Sequence, residues 1–440
     1  MGNLCYNITM KKLNTSPISG MQEFLPSKQA IFNSFKNTIS EVYLHHGFQN
    51  IETPIIDRAE ILFAKAGGDT EKQIYRVIKT NESARDSDQA LRFDHTVPLA
   101  RYVVDHESNL TFPFRVTQIG RNFRGERAQK GRFREFYQCD IDVIGRGHLP
   151  LAYDAEVIAT YCDAFNSLNI PDVIVRISNR KILSGLLEGL NLQSKSKEIF
   201  SIIDHAEKVP AEKTKQFFEE LDLSSDTIEK IITFINIKGD KTSTSEQLAN
   251  LNIQNETFAK GVNELIYVLE LLEQQGLKNI AIADMMIIRG LDYYTGTVFE
   301  AVLKDYHEIG SIGGGGRYEN LTGYFSDQTF PGVGGSIGLS RLFYILEENK
   351  LLVSETKNPI DIALVPISKN EFCYSFNLAN KLRKAGKSVD VILTDKKLGD
   401  KLAHAARIAK NAIVVGEDEV KTEKITIKNL ETGEKTPLEF

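Results

Sequence analysis

The feature that most constrains this chain is the segment of residues 114–144, in which two stretches of alternating side chains flank a polar loop, RGERAQKGR. Alternation with a period of two is typical of β-strands, so the segment predicts a strand, a long loop and a second strand. The same period gives the second strand one apolar face and one mixed face. The apolar face carries Phe133, Tyr137, Cys139, Ile141 and Val143, and the mixed face carries Arg132, Arg134, Phe136, Gln138, Asp140 and Asp142.

This segment also concentrates positive charge. Residues 114–135 hold seven bases and two acids, a net charge of +5 in a chain whose formal charge is −6. A solvated charged loop is the ordinary explanation of such a run. The strand after the loop favours a binding site instead, because its mixed face combines guanidinium, aromatic, amide and carboxylate groups. Such groups suit phosphates, a flat base and a cationic ligand.

The patterns change along the chain, whose 440 residues predict about three domains. Apolar spacing over 27–46 predicts an amphipathic helix, and the segments 280–288 and 297–303 are predicted strands. Residues 181–280 carry 11 lysines and no arginine, with apolar spacings typical of short helices. These features indicate a helical segment inserted into a β-rich core.

After residue 355 short strands alternate with helical segments. PIDIALVP, SVDVIL and NAIVVG are separated by helical spacings at 369–385 and 398–410, an order that indicates a parallel sheet. We therefore expect a core of residues 1–183 and 259–350, a helical insertion of residues 184–258, and an α/β domain of residues 358–440.

Several common functional motifs are absent from the sequence. The glycines at 313–316 and 332–338 give no GxGxxG in any register, and Lys381 stands where a Walker loop ending near Gly386 needs its first glycine. The histidines show no HExxH or HxxxH spacing, and the four cysteines form no CxxC pair. No apolar run approaches the roughly 20 residues of a membrane span. We expect reduced thiols, no side-chain metal site and no membrane segment.

The strand, loop and strand resemble a motif of a known enzyme class. FRGERAQKGRFREFYQCDIDVIG resembles motif 2 of class II aminoacyl-tRNA synthetases, and specifically that of histidyl-tRNA synthetases. Further segments resemble other motifs of that family, in the family's order. RGLDYYTGTVFE (289–300) and GGGGRYENL (313–321) resemble its two histidine-specific signatures, and PGVGGSIGLSRL (331–342) resembles motif 3.

Three segments nearer the start extend this resemblance. LRFDHTVPLARY (91–102) resembles the segment that binds the amino group of histidine, SGMQEFLP (19–26) the N-terminal signature, and GFQNIETPIID (47–57) motif 1. The resemblance implies an α+β fold with a class II antiparallel β-sheet catalytic core, a helical insertion and a C-terminal α/β anticodon-binding domain. Two departures from the family stand out: His95, where Gly or Leu is common, and Glu23, where Asp is usual.

The resemblance also implies residues for ATP. Arg124 would hold the α-phosphate and the amino-acid carboxylate, Arg132 would reach the γ-phosphate, and Arg341 would take the far side of the nucleotide. Phe136 would stack on adenine, and Glu126 belongs to the same set. Arginine suits these roles because it stays charged and donates two parallel hydrogen bonds.

One arginine is implied in catalysis beside Arg124. Arg289 matches the arginine of the histidine signature that contacts the carboxylate and the α-phosphate, where other class II enzymes tend to rely on metal. The plain alternative is an arginine at a strand end that pairs with Asp292.

A second set of residues is implied for histidine. Asp94, Thr96 and Gln138 match the positions that bind the α-amino group. The side chains implied around the imidazole are Asp142, Tyr293, Tyr294 and Tyr318. Gly315 belongs to the run 313–316, whose missing side chains would let the strand backbone approach the bound amino acid. The tyrosines have a plainer alternative as core aromatics.

The C-terminal domain resembles the class IIa anticodon-binding domain. Residues 369–410 carry ten bases and four acids, and a lysine-rich surface binds a phosphate backbone without reading its sequence. For several of these lysines a solubilising helix face is the alternative.

The resemblance implies the activity of a histidine–tRNA ligase, and we expect a cytoplasmic location. We expect ATP and histidine as substrates, histidine tRNA as partner, Mg²⁺ held mainly by phosphate oxygens, and a C2 homodimer through motif 1. Two rivals remain: the synthetase-like regulatory subunit of ATP phosphoribosyltransferase, and a tRNA-binding regulator without catalysis. The regulatory subunit usually lacks the anticodon domain and alters the Arg289 signature, whereas this chain has both the domain and the signature. A regulator without catalysis should have lost Arg124, Arg289 or Arg341, and this chain retains all three arginines.

Overall fold

The structure is a computed structural model that describes residues 13–64, 71–79, 87–207, 209–287, 294–306, 310–352 and 360–438. Its backbone contacts divide the chain into two compact units. The first comprises Met1–Glu23 with Lys36–Leu352, and the second comprises Phe24–Phe35 with Val353–Phe440. None of the helices in the described ranges is long and apolar enough to span a bilayer.

The described residues of both units contain helices and strands. The α-helices are α1 Pro26–His45, α2 Ala59–Phe63, α3 Thr96–Asp105, α4 Ala152–Asn166, α5 Arg180–Gly189, α6 Ser196–Ala206, α7 Ala211–Glu219, α8 Ser225–Ile235, α9 Lys241–Asn250, α10 Glu256–Gln274, α11 Leu339–Glu348, α12 Phe372–Lys384, α13 Leu398–Ile408 and α14 Glu417–Thr422. The β-strands are β1 Gln49–Asn50, β2 Ile56–Arg58, β3 Arg76–Val77, β4 Gln89–Leu91, β5 Phe114–Phe123, β6 Glu135–Ile144, β7 Val173–Asn179, β8 Lys238–Gly239, β9 Ala281–Asp284, β10 Tyr294–Leu303, β11 Gly313–Tyr318, β12 Gly332–Ile337, β13 Ile360–Pro366, β14 Val389–Val391, β15 Ala409–Val415, β16 Thr426–Asn429 and β17 Lys435–Pro437.

A mixed sheet dominates the first unit. Its nine described strands lie in the order β1-β5-β6-β12-β11-β10-β7-β9-β8. The central pairs from β5 to β7 are antiparallel, whereas β1 with β5 and β7 with β9 are parallel. Asp142 of β6 lies opposite Gly334 of β12, and Gly335 of β12 lies opposite Gly315 of β11. The sheet therefore brings the segments that resemble motif 2, motif 3 and a histidine signature side by side.

The strand, loop and strand predicted for residues 114–144 are confirmed. β5 and β6 pair along their whole length, and Cys139, Ile141 and Val143 of β6 are completely buried. The predicted alternation began at Arg132, but β6 begins at Glu135. Gly131 takes a positive φ of 70°, and residues 129 and 132 bridge each other in a tight turn, so the loop extends further than the alternation predicted.

Residues 180–274 are mainly helical, as their spacing predicted. Helices α5 and α10 cross closely at two glycines. A Cβ at Gly185 would lie 2.1 Å from the backbone nitrogen of Phe258, and one at Gly261 would lie 2.7 Å from that of Ile182. Larger residues at the crossing would separate these helices. The limits of the three domains stay a prediction.

The second unit contains the parallel sheet predicted for the C-terminal segment. β13 lies between β14 and β15 with both pairs parallel. Alternate residues of β13 face opposite sides, so Leu364 packs with Leu378 of α12 while Val365 packs with Ala405 of α13. Two further strands, β16 and β17, extend the sheet antiparallel beyond β15. They were not predicted, because most of their residues are partly or fully exposed and lack an apolar alternation.

One of the ten bases of residues 369–410 does not belong to the surface. Lys401 is 3% exposed, and its Nζ donates to the backbone oxygen of Pro366 at 2.8 Å. Because this ammonium caps the end of β13, it is a structural group and not a phosphate contact. The other nine bases of the segment are exposed.

Candidate active site

Two adjoining cavities lie over the centre of the nine-stranded sheet. The larger cavity has a volume of about 370 Å³ and the smaller about 120 Å³. Four residues line both of them: Arg124, Gln138, Gly314 and Ser336. Molecules in the two cavities can therefore both contact the side chains of Arg124, Gln138 and Ser336.

Positive charge and an aromatic ring characterise the larger cavity. Arg124 lies over the ring of Phe136 at 4.9 Å and over that of Phe93 at 4.3 Å, so its guanidinium is held between two aromatic faces. Arg132 contacts Glu126 across 3.6 Å. Arg341 reaches the cavity from the first turn of α11. Such a site can bind several phosphate oxygens beside a flat ring.

The smaller cavity is lined by buried carboxylates. Asp94 is 8% exposed and accepts a hydrogen bond of 3.0 Å from the backbone N–H of Val97, in the first turn of α3. Asp142 is 6% exposed and accepts a 3.0 Å bond from the hydroxyl of Tyr318. Asp140 lies between Gln138 and Asp142 on the same face of β6. An anionic pocket of this size suits a small cationic ligand.

Burial perturbs two of these acids. It raises the pKa of the Asp94 carboxyl, while the N–H of Val97 and the charge of Arg124 act in the opposite direction. Burial also raises the pKa of Asp142 well above its usual range, and the nearby Asp140 raises it further, against the hydrogen bond from Tyr318. Carboxylates held close together in a dry site bind a cation strongly, because the cation relieves their mutual repulsion.

Glycines of β12 make room for the side chains of the smaller cavity. A Cβ at Gly334 would lie 2.0 Å from Oδ1 of Asp142, and one at Gly332 would lie 2.4 Å from the ring of Tyr318. At Gly315 in β11 the obstacle is the neighbouring strand, since a Cβ there would lie 2.0 Å from the backbone oxygen of Gly334. The glycine clusters therefore serve close packing of the sheet as well as the cavity.

The structure brings most of the residues implied by the resemblance together. Arg124, Glu126, Arg132, Phe136 and Arg341 all line the larger cavity. The smaller cavity is lined by Asp94, Thr96, Gln138, Asp142, Tyr294 and Tyr318. Gly315 is not among the lining residues of either cavity, although its neighbour Gly314 lines both. Arg289 and Tyr293 lie outside the described residues.

Some lining residues were not singled out from the sequence. Asp140 and Ser336 line the smaller cavity, and Glu300 and Ser311 line the larger one. A signal existed for Asp140, because the period of two placed it on the mixed face of β6 between Gln138 and Asp142. Ser336, Glu300 and Ser311 depend on strand pairing that local patterns do not specify.

Comparisons with known proteins agree with this geometry. A histidyl-tRNA synthetase family model matches residues 20–342, and an anticodon-binding domain model matches residues 361–440. A histidine–tRNA ligase of Clostridium tetani is 46% identical over 429 residues, which cover 96% of each chain. The crystal structure of histidyl-tRNA synthetase from Nostoc sp. PCC 7120 is 37% identical, with a TM-score of 0.88 over 97% of each chain.

A structure from Bacillus halodurans C, described as an ATP phosphoribosyltransferase regulatory subunit/histidyl-tRNA synthetase, is 21% identical with a TM-score of 0.76 over 92% of this chain and 99% of that one. At this identity the likeness extends to the fold alone. The ligase of Clostridium tetani, at 46% identity over 96% of this chain, shares more than twice as many identical residues. The chain therefore belongs to the histidyl-tRNA synthetase family.

Proposed function

We propose that this chain attaches histidine to histidine tRNA in two steps. Histidine and ATP first give histidyl-adenylate and pyrophosphate, and the acyl group then moves to the 3′-terminal adenosine of the tRNA. The main support for this proposal is that Arg124 lines both cavities. The first step needs a carboxylate next to an α-phosphate, and a shared guanidinium holds those two groups at one place.

The arginines would supply most of the catalysis of the first step. As the carboxylate oxygen attacks the α-phosphorus and the bond to pyrophosphate breaks, negative charge builds up on the phosphate oxygens. Preorganised guanidinium groups stabilise that charge more than they stabilise the ground state. Arg124 would act at the α-phosphate, with Arg132 and Arg341 at the other ends of the nucleotide. Arg289 is proposed beside Arg124 from the sequence resemblance.

The smaller cavity would select histidine. Asp94, Thr96 and Gln138 would face the ammonium group, and Asp142 would accept a hydrogen bond from the imidazole. Tyr318 already donates to Asp142 at 3.0 Å, so it fixes which carboxylate oxygen remains for the ligand. A site whose buried polar groups lose their partners rejects an apolar amino acid by a large factor.

Mg²⁺ is part of the proposal as a companion of ATP. Glu126 and Glu300 line the larger cavity and provide carboxylate oxygens, the donors that Mg²⁺ prefers together with phosphate. In the described ranges no three His, Cys, Asp or Glu residues are grouped to hold a metal. The ion would therefore depend mainly on phosphate oxygens and water, and it would neutralise phosphate charge when bound.

The second unit would bind the tRNA. Its exposed bases between residues 369 and 410 can neutralise phosphates along a nucleic acid backbone.

We also propose a homodimer and a cytoplasmic location. β1, in the segment that resembles motif 1, is an exposed edge strand that pairs only with β5 in the described structure, and Cys139, Cys162 and Cys373 are free thiols, as suits a reducing compartment.

The test is aminoacylation by the purified full-length protein. Incubation with total tRNA, ATP and one labelled amino acid at a time should charge tRNA with histidine and with none of the other nineteen amino acids. A regulatory subunit would bind histidine without charging any tRNA. That result would support the rival function.

A further inference from the structure

His95 belongs to a ring of five polar side chains at the smaller cavity, of which His95, Asn122 and Asp140 are buried and Gln138 and Ser336 are half-buried. Its imidazole is 1% exposed, and its Nδ1 lies 3.1 Å from Oδ2 of Asp140. The other oxygen of Asp140 accepts a hydrogen bond from the hydroxyl of Ser336. Ser336 in turn accepts from Nε2 of Gln138 at 2.7 Å, and Oε1 of Gln138 accepts from Nδ2 of Asn122 at 2.8 Å. Nδ2 of Asn122 lies 3.4 Å from Nδ1 of His95, a contact without a hydrogen bond when that ring nitrogen carries a proton. We call these five residues the polar ring.

The carboxylate of Asp140 sets the direction of the hydrogen bonds in the polar ring. An ionised carboxylate only accepts, so the single proton of Ser336 points to Asp140. The oxygen of Ser336 then accepts from Gln138, which fixes the amide with its nitrogen toward Ser336. The carbonyl oxygen of Gln138 consequently faces Asn122 and retains one acceptor position. Gln138, Ser336 and Asp140 all line the smaller cavity.

The surroundings of His95 determine which ring nitrogen carries the proton. A Cβ at Gly120 would lie 2.6 Å from Nη2 of Arg92 and 3.2 Å from Nε2 of His95. Both nitrogens therefore lie beside the same backbone position, and Nε2 has no hydrogen-bond partner among the described residues. A carboxylate only accepts hydrogen bonds, and Nδ1 lies 3.1 Å from Oδ2 of Asp140, so we assign a proton to Nδ1, which donates it to Asp140.

We propose that His95 is a positioning residue for the amino group of histidine. By donating to Asp140 it holds the carboxylate that, through Ser336, orients the amide of Gln138 with its oxygen available to the ammonium. The inference rests on the proposed function, because the proposed function assigns histidine to the smaller cavity. This positioning role would also explain why residue 95 is a histidine, where the family commonly has Gly or Leu.

The experiment measures histidine binding to full-length variants by calorimetry. His95→Leu should weaken histidine binding about 10- to 100-fold, the effect of losing a hydrogen bond to a charged group. His95→Asn can donate from nearly the same place as Nδ1, so it should stay within about fivefold of the unmodified protein. His148→Leu, at an exposed histidine, is the matched control and should bind histidine normally.

Binding of a second ligand distinguishes a loss of amino-group recognition from a general loss of ligand binding. 3-(Imidazol-4-yl)propanoate lacks the amino group, so His95→Leu should change its affinity by less than about twofold. Equal losses for both ligands, or unchanged histidine binding, would overturn the proposal. If circular dichroism shows that His95→Leu does not fold, Ser336→Ala breaks the polar ring at another link and should give the same selective loss; unchanged histidine binding in that variant would also overturn it.

The catalytic assay keeps this inference distinct from the proposed function. Histidine-dependent exchange of pyrophosphate into ATP is measured on the unmodified protein. A protein that binds histidine with the selective loss in His95→Leu, but shows no exchange, would support the role of the polar ring and contradict the proposed ligase activity.

Discussion

Among single residues, Asp142 has opposite effects on ligand binding and on stability: its buried carboxylate favours binding of a cation but lowers the stability of the ligand-free protein. The folded protein raises the pKa of this carboxyl through burial and the neighbouring Asp140, whereas an unfolded aspartate titrates near 3.9. A raised folded pKa contributes stability that is fully present below the unfolded value and is lost as pH rises through the folded value. Burial of this carboxyl therefore costs the ligand-free protein stability as pH rises, while the same group provides an acceptor for a cationic ligand.

Replacement of Asp142 by asparagine should reveal this conflict. The amide does not ionise, so the ligand-free Asp142→Asn protein should melt at a higher temperature than the unmodified protein at pH 8, and this advantage should shrink toward pH 4. Histidine binding at pH 8 should be weakened about 10- to 100-fold, because the charged acceptor is lost. Thermal unfolding and calorimetry across pH measure both effects, with Asp327→Asn at an exposed position as control. A melting temperature that does not rise at pH 8 would show that burial of the Asp142 carboxyl does not cost the folded protein stability.

Two arginines should respond differently to removal. Arg124→Ala should weaken binding of both substrates and slow adenylate formation, since Arg124 lines both cavities. Arg289→Ala should slow adenylate formation about 100- to 1,000-fold with a much smaller effect on histidine binding, as expected of a group that acts on transition-state charge. Single-turnover kinetics and calorimetry provide the comparison. Equal losses in rate and histidine affinity for Arg289→Ala would assign it to ground-state binding.

Among the secondary-structure elements, the paired strands β11 and β12 leave space for the pocket because their glycines have no side chains. Gly334→Ala should place a methyl group 2.0 Å from the present position of the Asp142 carboxylate, so Asp142 must move. We expect histidine affinity to fall at least about tenfold, with ATP binding nearly unchanged because Gly334 lines only the smaller cavity. Gly399→Ala, where a Cβ would meet nothing within 4 Å, is the control. Normal histidine binding by Gly334→Ala would show that the close contact is easily relieved.

The elements differ in how far local sequence determines them. β5 and β6 were predictable because alternation is a local signal, and β13 to β15 because short apolar strands separated by helices imply a parallel sheet. β16 and β17 carry no such signal, since most of their residues are partly or fully exposed. The polar ring was beyond local prediction, because Asn122, Gln138 and Ser336 meet only through the pairing of three strands. The roles of the lining residues came from the resemblance and not from periodicity.

At the scale of the whole molecule, charge is separated by region. The net charge of −6 includes +5 in residues 114–135, +6 in 369–410 and −5 in 181–280. An acidic chain can therefore offer basic surfaces where phosphates bind, and the overall charge carries little information about nucleic acid binding.

The exposed bases of the second unit allow a test of tRNA binding. Combined replacement of Lys384, Lys396 and Lys397 by Ala should raise the KM for tRNA about tenfold and reduce the salt dependence of binding, while pyrophosphate exchange stays normal. The matched control replaces Lys421, Lys424 and Lys435, which are exposed in the same unit outside the basic segment. The same loss in both triple variants would indicate a general charge effect and not a defined tRNA surface.

If the two cavities together activate histidine with ATP, exchange of labelled pyrophosphate into ATP should depend on histidine. The purified full-length protein is incubated with ATP, Mg²⁺, labelled pyrophosphate and each amino acid in turn. We expect label in ATP with histidine and only background with the other amino acids. Absence of histidine-dependent exchange in a folded protein that binds both ATP and histidine would contradict the proposal that the two cavities activate histidine.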